Sequence, residues 1–189
     1  MARPLSEEKR QALLDAAADL VATQGVGAST AKIAQVAGVS EGTLFVYFPT
    51  KDDLLNKLFV EIESSLAGAM QAPYPQDEDA RERFRLVWDR LVGWGVANPV
   101  LWKAIRQLKV SDRVTAESRR CGDTLFREVR AVVDQCLAGH ADPARVSFYV
   151  ETVLFDLAGM MIDAITAHPQ DRDRISEAGF DLFWKGTAA

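Results

Sequence analysis

Apolar residues recur at spacings of three and four along most of the 189-residue chain, which is the period of a helix with one buried face. The clearest stripe begins just after residue 51 and extends to about Met70; its members are Leu54, Leu55, Leu58, Phe59, Ile62 and Leu66. Similar stripes before and after it predict an all-α fold of about nine helices.

The N-terminal pattern predicts one helix followed by a shorter one. The first follows Ser6 and ends at Gly25, with apolar residues in phase at positions 13, 17, 20 and 21. The shorter helix carries apolar groups on one side, namely Ile33, Ala34, Val36 and Ala37. Gly38 then supplies a residue that can adopt the left-handed conformation at a helix end, and we expect Val39 to pack under the turn.

A third helix is predicted to begin after Ser40, whose hydroxyl can cap it. Leu44 and Phe48 are four residues apart, so they return one face of this helix to the core. The opposite face is left exposed, and its residues are Glu41, Gly42, Thr43, Phe45, Val46 and Tyr47. Two short helices joined by a tight glycine-containing turn are the layout of a helix-turn-helix DNA-binding motif.

Two further features of this segment favour contact with DNA. Gly42 lowers helix stability by roughly 1 kcal/mol relative to alanine, and close approach of another surface accounts for that cost. Pro49 ends the helix, Thr50 can cap the next one, and Lys51 lies at its start, where a positive charge is unfavourable to the helix dipole. A bound phosphate would reverse the sign of that effect.

The segment resembles the DNA-binding region of the TetR (tetracycline repressor) family of bacterial transcription regulators. The matching residues are Thr30, Ile33, Ala34, Ala37, Gly38, Val39, Ser40, Gly42, Thr43, Leu44, Phe45, Tyr47, Phe48, Lys51 and Leu54. The match covers about the first third of the chain. Phe45 stands where the family usually has a tyrosine that hydrogen-bonds a phosphate, so we expect packing on a sugar or a thymine methyl group instead.

The resemblance implies a set of DNA-contacting residues, among which Ala31, Glu41 and Val46 are positions where specificity could vary. With the exposed face of the third helix included, the predicted set is Thr30, Lys32, Ser40, Glu41, Gly42, Thr43, Phe45, Val46, Tyr47 and Lys51. Thr43 can offer a hydroxyl to a phosphate or base and a methyl to thymine. Near the start of the first helix, Arg3, Lys9 and Arg10 are either further phosphate contacts or solvated charges.

The predicted domains are a helix-turn-helix domain, residues 1–50, and a ligand-binding and dimerisation domain, residues 51–189, linked by a helix over 51–71. A polar loop with two prolines over 72–79 ends that helix. Beyond it we expect a long helix over roughly 115–138, closed by Gly139, and another that begins at Asp142 and Pro143.

The helix after Asp142 is hydrophobic nearly all round, so it needs cover on both faces. One chain can cover one face, and a second copy is the expected cover for the other, together with the last helix at about 171–185. The predicted interface residues are Val150, Leu154, Leu157, Met161, Ile165 and Phe183. A homodimer also suits a helix-turn-helix protein, because paired motifs bind the half-sites of a near-palindromic DNA operator.

The resemblance further implies a small-molecule effector that shifts the spacing of the paired motifs, as in a ligand-released repressor. The residues that could line a hydrophobic cavity for it are Phe84, Trp88, Trp94, Trp102, Ile105, Phe126, Phe155 and Met160. Aromatic residues at helical spacing are also typical of a plain core. A regulator controlled by a protein partner is the alternative, for which a filled core and an exposed apolar patch would argue.

The net charge of −5 is unevenly distributed. Residues 1–51 hold five basic and five acidic side chains, so the acidity belongs to the rest of the chain. A neutral DNA-binding domain predicts weak non-specific attraction to DNA, which leaves more of the affinity to geometry and dimerisation.

The sequence favours no enzymatic function. It contains no phosphate-binding glycine loop, no HExxH and no histidine placed beside a plausible nucleophile. Acidic residues 77–79 lie in a polar loop that offers no surroundings typical of a catalytic carboxylate. A helical enzyme built on carboxylates is a remaining alternative, but it would leave the helix-turn-helix pattern unexplained.

We expect no metal, no cofactor and no membrane association. Cys121 and Cys136 are interpreted as buried and inert, with redox sensing as the alternative. His140 and His168 lie near predicted helix ends and are expected to be solvated or to cap those helices. No apolar run is long enough to span a bilayer and no signal core is evident, so a cytoplasmic location is expected.

Overall fold

The computed structural model describes residues 6–71, 73–75 and 77–189. Its helices in chain order are α1 (Glu7–Gln24), α2 (Thr30–Val36), α3 (Glu41–Tyr47), α4 (Lys51–Met70), α5 (Ala80–Ala97), α6 (Pro99–Lys109), α7 (Ala116–Leu125), α8 (Arg127–Leu137), α9 (Val146–Phe148), α10 (Phe155–Ala167) and α11 (Arg172–Thr187). A π-helical segment, Tyr149–Leu154, joins α9 to α10. Within these residues the only β pairing is one isolated bridge, Ala141–Ala188. The predicted all-α class is confirmed.

The chain forms two compact units. The first comprises Met1–Ser65 and Val100–Thr124, and the second comprises Leu66–Pro99 and Leu125–Ala189. The first unit therefore holds residues 51–65 and 100–124 as well as the predicted helix-turn-helix domain. The two units are defined by which residues pack together. The predicted division after residue 50 separates a DNA-binding function from a ligand-binding function, and it stays a prediction.

In the first unit, α1 packs on α2 and α2 packs on α3. The N-terminus of α1 is capped by Ser6, whose Oγ accepts a hydrogen bond from the backbone N–H of Lys9 at 3.4 Å. The helix ends at Gly25, where φ is 74°. Fully buried side chains of this unit include Leu13, Leu14, Ile33, Leu44, Leu54 and Leu55. The predicted start, end and buried stripe of α1 are confirmed.

The second unit is built around α5, which packs on α8 and α10, while α10 also packs on α11. The rings of Phe84 and Phe183 stack with centroids 5.2 Å apart. Trp88 donates its indole N–H to the backbone oxygen of Ser176 at 3.1 Å. A Cβ at Gly179 would lie 2.7 Å from Trp88 Cζ2, so glycine is required for this helix to pack so closely.

Two predicted helices differ from the structure. The long helix expected over 115–138 is two helices, α7 and α8, separated at Phe126, whose φ of −96° and ψ of 6° are not helical. The break follows the sequence Gly122-Asp-Thr, whose members have low helix propensity.

The helix expected to begin at Asp142 begins instead at Val146. Asp142 forms a turn, because its Oδ1 accepts from the N–H of Ala144 at 3.0 Å and its carbonyl accepts from the N–H of Arg145 at 2.9 Å. Gly139 closes α8 as predicted, with φ of 76°.

Candidate DNA-binding surface

The turn between α2 and α3 has the geometry expected of a helix-turn-helix motif. Gly38 adopts φ of 70°, and the N–H of Val39 donates to the carbonyl of Ala34 at 2.9 Å. Ser40 caps α3 by accepting from the N–H of Thr43 at 3.1 Å. Each of these local features follows from the residue types, since glycine permits the left-handed turn and serine supplies the cap oxygen.

The buried side of this segment is narrower than predicted. Leu44 and Phe48 are buried, as expected, and so are Ile33 and Ala34. Val36 was expected on the same apolar side, but it is exposed. Because α2 is only seven residues long, its first turns supply the buried contacts and its last residue extends beyond them.

Three polar residues on the exposed face of α3 are held by hydrogen bonds within the protein. Glu41 accepts from the hydroxyl of Thr30 at 2.6 Å, which links the starts of α2 and α3. The hydroxyls of Thr43 and Ser40 lie 2.8 Å apart. The Tyr47 Oη accepts from the N–H of Ser6 at 2.9 Å, which ties α3 to the start of α1. The sequence placed these side chains on one face but gave no sign of these bonds.

The rest of that face is apolar or lacks a side chain. Phe45 and Val46 are 41% and 62% exposed. Gly42 is exposed too, and a Cβ built on it would meet nothing nearer than Ser40 Oγ at 3.9 Å. The fold therefore has room for a side chain at residue 42, which means that packing within the protein does not require glycine there.

Lys51 is half-buried at the start of α4. The helix is capped reciprocally, because the N–H of Asp53 donates to Thr50 Oγ1 at 3.1 Å and the N–H of Thr50 donates to Asp53 Oδ2 at 3.0 Å. Burial lowers the pKa of Lys51 below its ordinary value, and the charge of Arg113 lowers it further. The lysine charge is thus unfavourable in the unbound protein, and a nearby phosphate would stabilise it.

The start of α4 is also fixed by the segment between α6 and α7. Asn56 donates its amide N–H groups to the carbonyls of Asp52 and Arg113 at 2.8 and 2.9 Å, and its oxygen accepts from the N–H of Thr115 at 2.8 Å. Arg113 also pairs with the Asp52 carboxylate at 2.7 Å. We call these four residues the α4 clamp. Sequence reasoning missed it because Arg113 and Thr115 lie 57 to 61 residues along the chain from their partners Asp52 and Asn56.

The basic residues near the start of α1 have different surroundings. Arg10 pairs with Glu7 Oε1 at 2.8 Å and with Glu61 Oε1 at 2.9 Å, so it is not simply a solvated charge, and its contact with a phosphate stays a prediction. Lys9 and Lys32 are exposed. Arg3 lies outside the described residues.

The predicted cavity residues are divided between the two units. Trp102 and Ile105 belong to the first unit and the others to the second. Phe84, Trp88 and Trp94 are buried, and the first two are packed in the core described above. The predicted residues that are half-buried are Phe126 and Phe155. Met160 is 62% exposed, so its assignment to an interior cavity is wrong.

The predicted dimer residues also need correction. Leu154, Leu157, Ile165 and Phe183 are buried within the single chain, and Val150 and Met161 are half-buried. The large apolar side chains exposed in this part of the protein are instead Phe148, Met160 and Leu182. Four of the six predicted interface residues are thus covered by their own chain, whereas the assignment of Val150 and Met161 stays a prediction.

The cysteines and histidines differ from one another in environment. Cys121 is exposed, contrary to the prediction, whereas Cys136 is buried, and burial raises its pKa. His140 stacks on Trp184, with Nε2 2.8 Å from the Trp184 carbonyl, while His168 caps α10 and is exposed. In the part of the chain that is described, no cluster of potential metal ligands occurs and no helix has the length and apolar character needed to cross a bilayer.

Comparisons with known proteins agree with this geometry. The family model for bacterial regulatory proteins of the tetR family matches residues 13–58. A TetR-family transcription regulator structure from Shewanella sp. PV-4 is 28% identical, with a TM-score of 0.81 over 96% of this chain and 98% of that one. The nucleoid occlusion factor SlmA of Vibrio cholerae is 26% identical over 93% of this chain and 92% of its own.

A more distant structure shows the same fold. The transcriptional regulator FadR from Bacillus subtilis, solved in complex with stearoyl-CoA, is 20% identical, with a TM-score of 0.68 over 94% of this chain and 98% of that one. The family match lies on the helix-turn-helix, and the structural matches extend over nearly all of the chain. The chain therefore carries the DNA-binding segment of the tetR family of bacterial regulatory proteins and has the fold of TetR-family transcription regulators.

Proposed function

We propose that this regulator is a homodimeric repressor that binds a near-palindromic operator through α3 and leaves it when a small hydrophobic ligand binds. The observation that carries the DNA-binding part is the exposed face of α3. Gly42 there has open space around it although alanine would favour the helix. Lys51, whose charge is unfavourable in the unbound protein, follows at the start of α4.

The proposed DNA contacts are those expected from the sequence, with roles refined by the hydrogen bonds. Tyr47 uses its oxygen to accept from Ser6, so its own proton is the group it can donate to a phosphate. Thr30 and Glu41 are bonded to each other and so hold the starts of α2 and α3 together on this surface. Lys32 is exposed, and with Lys51 it supplies positive charge for the DNA backbone.

The proposed dimer uses the exposed side of the helices near the C-terminus. Phe148, Met160 and Leu182 are each more than half exposed, which is costly for three large apolar side chains in one part of a protein. A second copy would remove them from water. Two chains would also present two α3 helices to the two half-sites of an operator.

The proposed effector is hydrophobic and binds in the second unit. Phe126 and Phe155 are half-buried apolar residues of that unit and are the candidates for contact with it. The stearoyl-CoA complex of the Bacillus subtilis relative supports a ligand with a long apolar chain. If ligand and operator oppose each other, each must weaken the binding of the other by the same factor.

Control by a protein partner is the second candidate. It is favoured by the three large apolar side chains exposed near the C-terminus, Phe148, Met160 and Leu182. Under this alternative the exposed apolar residues near the C-terminus bind a different protein. A carboxylate enzyme, the third possibility, gives the helix-turn-helix no role.

Titration of the protein against DNA that flanks its own gene, followed by fluorescence anisotropy at several salt concentrations, tests the DNA-binding proposal. We expect saturable binding to one short near-palindrome with two chains per site. If that DNA contains no specific site, selection from random duplexes identifies the target. Failure to enrich any sequence would contradict the proposal.

The effector proposal is tested on the same complex with stearoyl-CoA as the first probe. We expect the operator affinity to fall as the probe saturates the protein, and the affinity for the probe to fall equally when operator is bound. A probe that binds at saturation and leaves operator affinity unchanged is not an effector of this protein.

A further inference from the structure

The exposed face of α3 separates into side chains that are already bonded and side chains that are not. Glu41, Thr43 and Tyr47 each have a hydrogen-bonding partner within the protein, at 2.6, 2.8 and 2.9 Å. Phe45 and Val46 have no polar group and are 41% and 62% exposed. The side chains most accessible for a new contact on this helix are therefore apolar.

The sequence of α3 limits how it can recognise bases. The side chains that make bidentate hydrogen bonds to guanine are arginine and lysine, and those for adenine are asparagine and glutamine. The seven residues of α3, EGTLFVY, contain none of these four types. Cytosine can donate from its N4 amino group to a glutamate, but Glu41 of α3 already accepts from the hydroxyl of Thr30 at 2.6 Å. The C5-methyl group of thymine, which is recognised by apolar contact, is the feature that suits the exposed side chains of α3.

The position of Gly42 places the apolar side chains where DNA can approach closely. Residues three and four apart on a helix are neighbours on its surface, so Phe45 and Val46 both lie one turn after Gly42. The space beside Gly42 is open, since a methyl group attached there would have Ser40 Oγ as its nearest neighbour, at 3.9 Å. A base edge that enters this space meets the side chains of Phe45 and Val46.

We propose that Phe45 and Val46 recognise thymine methyl groups in the major groove, so that the core of each half-site is defined by thymines. This inference rests on the proposed DNA-binding face of α3. It makes Phe45 and Val46 specificity-determining residues, while Thr43, Tyr47 and Lys51 position the protein on the backbone.

The probe for the test is the duplex that the protein itself enriches from a random-sequence pool. Each thymine of this duplex is replaced in turn by deoxyuridine, which pairs identically but lacks the methyl group. We expect binding to weaken by about fourfold for each contacted methyl group that is removed, as for burial of one methyl group. Symmetric replacement in both half-sites is expected to weaken binding by about sixteenfold.

Variants connect each methyl group to a side chain. Val46→Ala and Phe45→Ala are expected to bind the thymine duplex more weakly and to lose the difference between thymine and deoxyuridine at the position that each residue contacts. Val110→Ala is the matched control, because Val110 is an 85% exposed valine of the same unit outside the helix-turn-helix. It is expected to keep both the affinity and the deoxyuridine penalty of the unchanged protein.

The results separate this inference from the function on which it rests. An enriched site in which no deoxyuridine replacement weakens binding would overturn the inference and leave the DNA-binding proposal intact. If replacing thymine by deoxyuridine still weakens binding to the same extent in both Phe45→Ala and Val46→Ala, the methyl group is contacted by another residue. That result too would overturn the inference and leave the DNA-binding proposal intact. Failure to enrich any site would overturn both.

Discussion

Lys51 carries a charge that the unbound protein does not stabilise. Because its pKa is lowered in the folded state, its protonated form costs stability at neutral pH, and this cost declines as the pH rises from the lowered pKa to the ordinary pKa of the unfolded chain. We predict that Lys51→Gln is at least as stable as the unchanged protein in thermal unfolding. We also predict weaker operator binding and a salt slope reduced by about one unit per motif.

A control for this prediction is Lys103→Gln, which removes an exposed lysine from α6 of the same unit. It makes the same change in net charge and is expected to leave the slope of log affinity against log salt nearly unchanged. Equal slopes for the two variants would mean that Lys51 contacts no phosphate.

Gly42 gives a second prediction at the scale of one residue, in which stability and binding change in opposite directions. Alanine at residue 42 meets no nearby atom and has the higher helix propensity, so Gly42→Ala should stabilise the protein by up to about 1 kcal/mol. The added methyl group would occupy the space into which DNA approaches, and we expect operator affinity to fall at least tenfold, an effect of roughly 1.4 kcal/mol.

The chain offers a matched control in Gly68, an exposed glycine of α4 that also has no atom within 4 Å of a built Cβ. Gly68→Ala should stabilise the helix comparably without a change in operator affinity. If Gly42→Ala binds the operator normally, α3 does not approach DNA at residue 42.

At the scale of helices, the α4 clamp holds the start of α4 in place. The side chain of Asn56 makes three of the hydrogen bonds in this clamp. We predict that Asn56→Ala destabilises the protein by about 1–2 kcal/mol and also weakens operator binding, because the first turn of α4 carries Lys51. Circular dichroism melts and anisotropy titrations measure the two effects separately.

Asn98 provides the comparison, since it is the other asparagine of the chain and donates to the Trp94 carbonyl at 2.9 Å in the second unit. Asn98→Ala should lower the melting temperature without a comparable loss of operator affinity at a temperature where both variants are folded. Equal losses of affinity would show that the clamp acts through general stability alone.

The extent to which sequence predicted these elements depends on how local their causes are. The caps of α1 and α3 and the turn at Gly38 were predicted correctly because each needs only a few neighbouring residues. The break at Phe126 was missed because the apolar spacing continues across it. The hydrogen bonds of Asn56 and of Tyr47 join distant positions, so no local pattern could indicate them.

For the whole molecule, a hydrophobic pattern shows that a face must be covered but not which chain covers it. Ile165 and Phe183 were assigned to the partner, yet both are buried by their own chain. The burial of each residue depends on how α5 packs against α10 and α11, and close approach at Gly95 and Gly179 determines that packing. The structure leaves Phe148, Met160 and Leu182 exposed, and this exposure is the basis for proposing them as the surface for a second copy.

The last prediction concerns the assembly itself. Met160→Glu places a charge on a residue that is 62% exposed in one chain, so the folded monomer should tolerate it while a dimer that buries it should not. We expect light scattering to report a monomer of about half the original mass, and specific operator binding to fall to the non-specific level, with a dissociation constant of about 10⁻⁴ to 10⁻⁶ M.

Val110→Glu makes the same kind of change at an exposed apolar residue of the first unit and should remain a dimer that binds the operator. A Met160→Glu protein that is still dimeric would place the interface elsewhere, whereas a monomer with full operator affinity would show that one helix-turn-helix suffices for recognition.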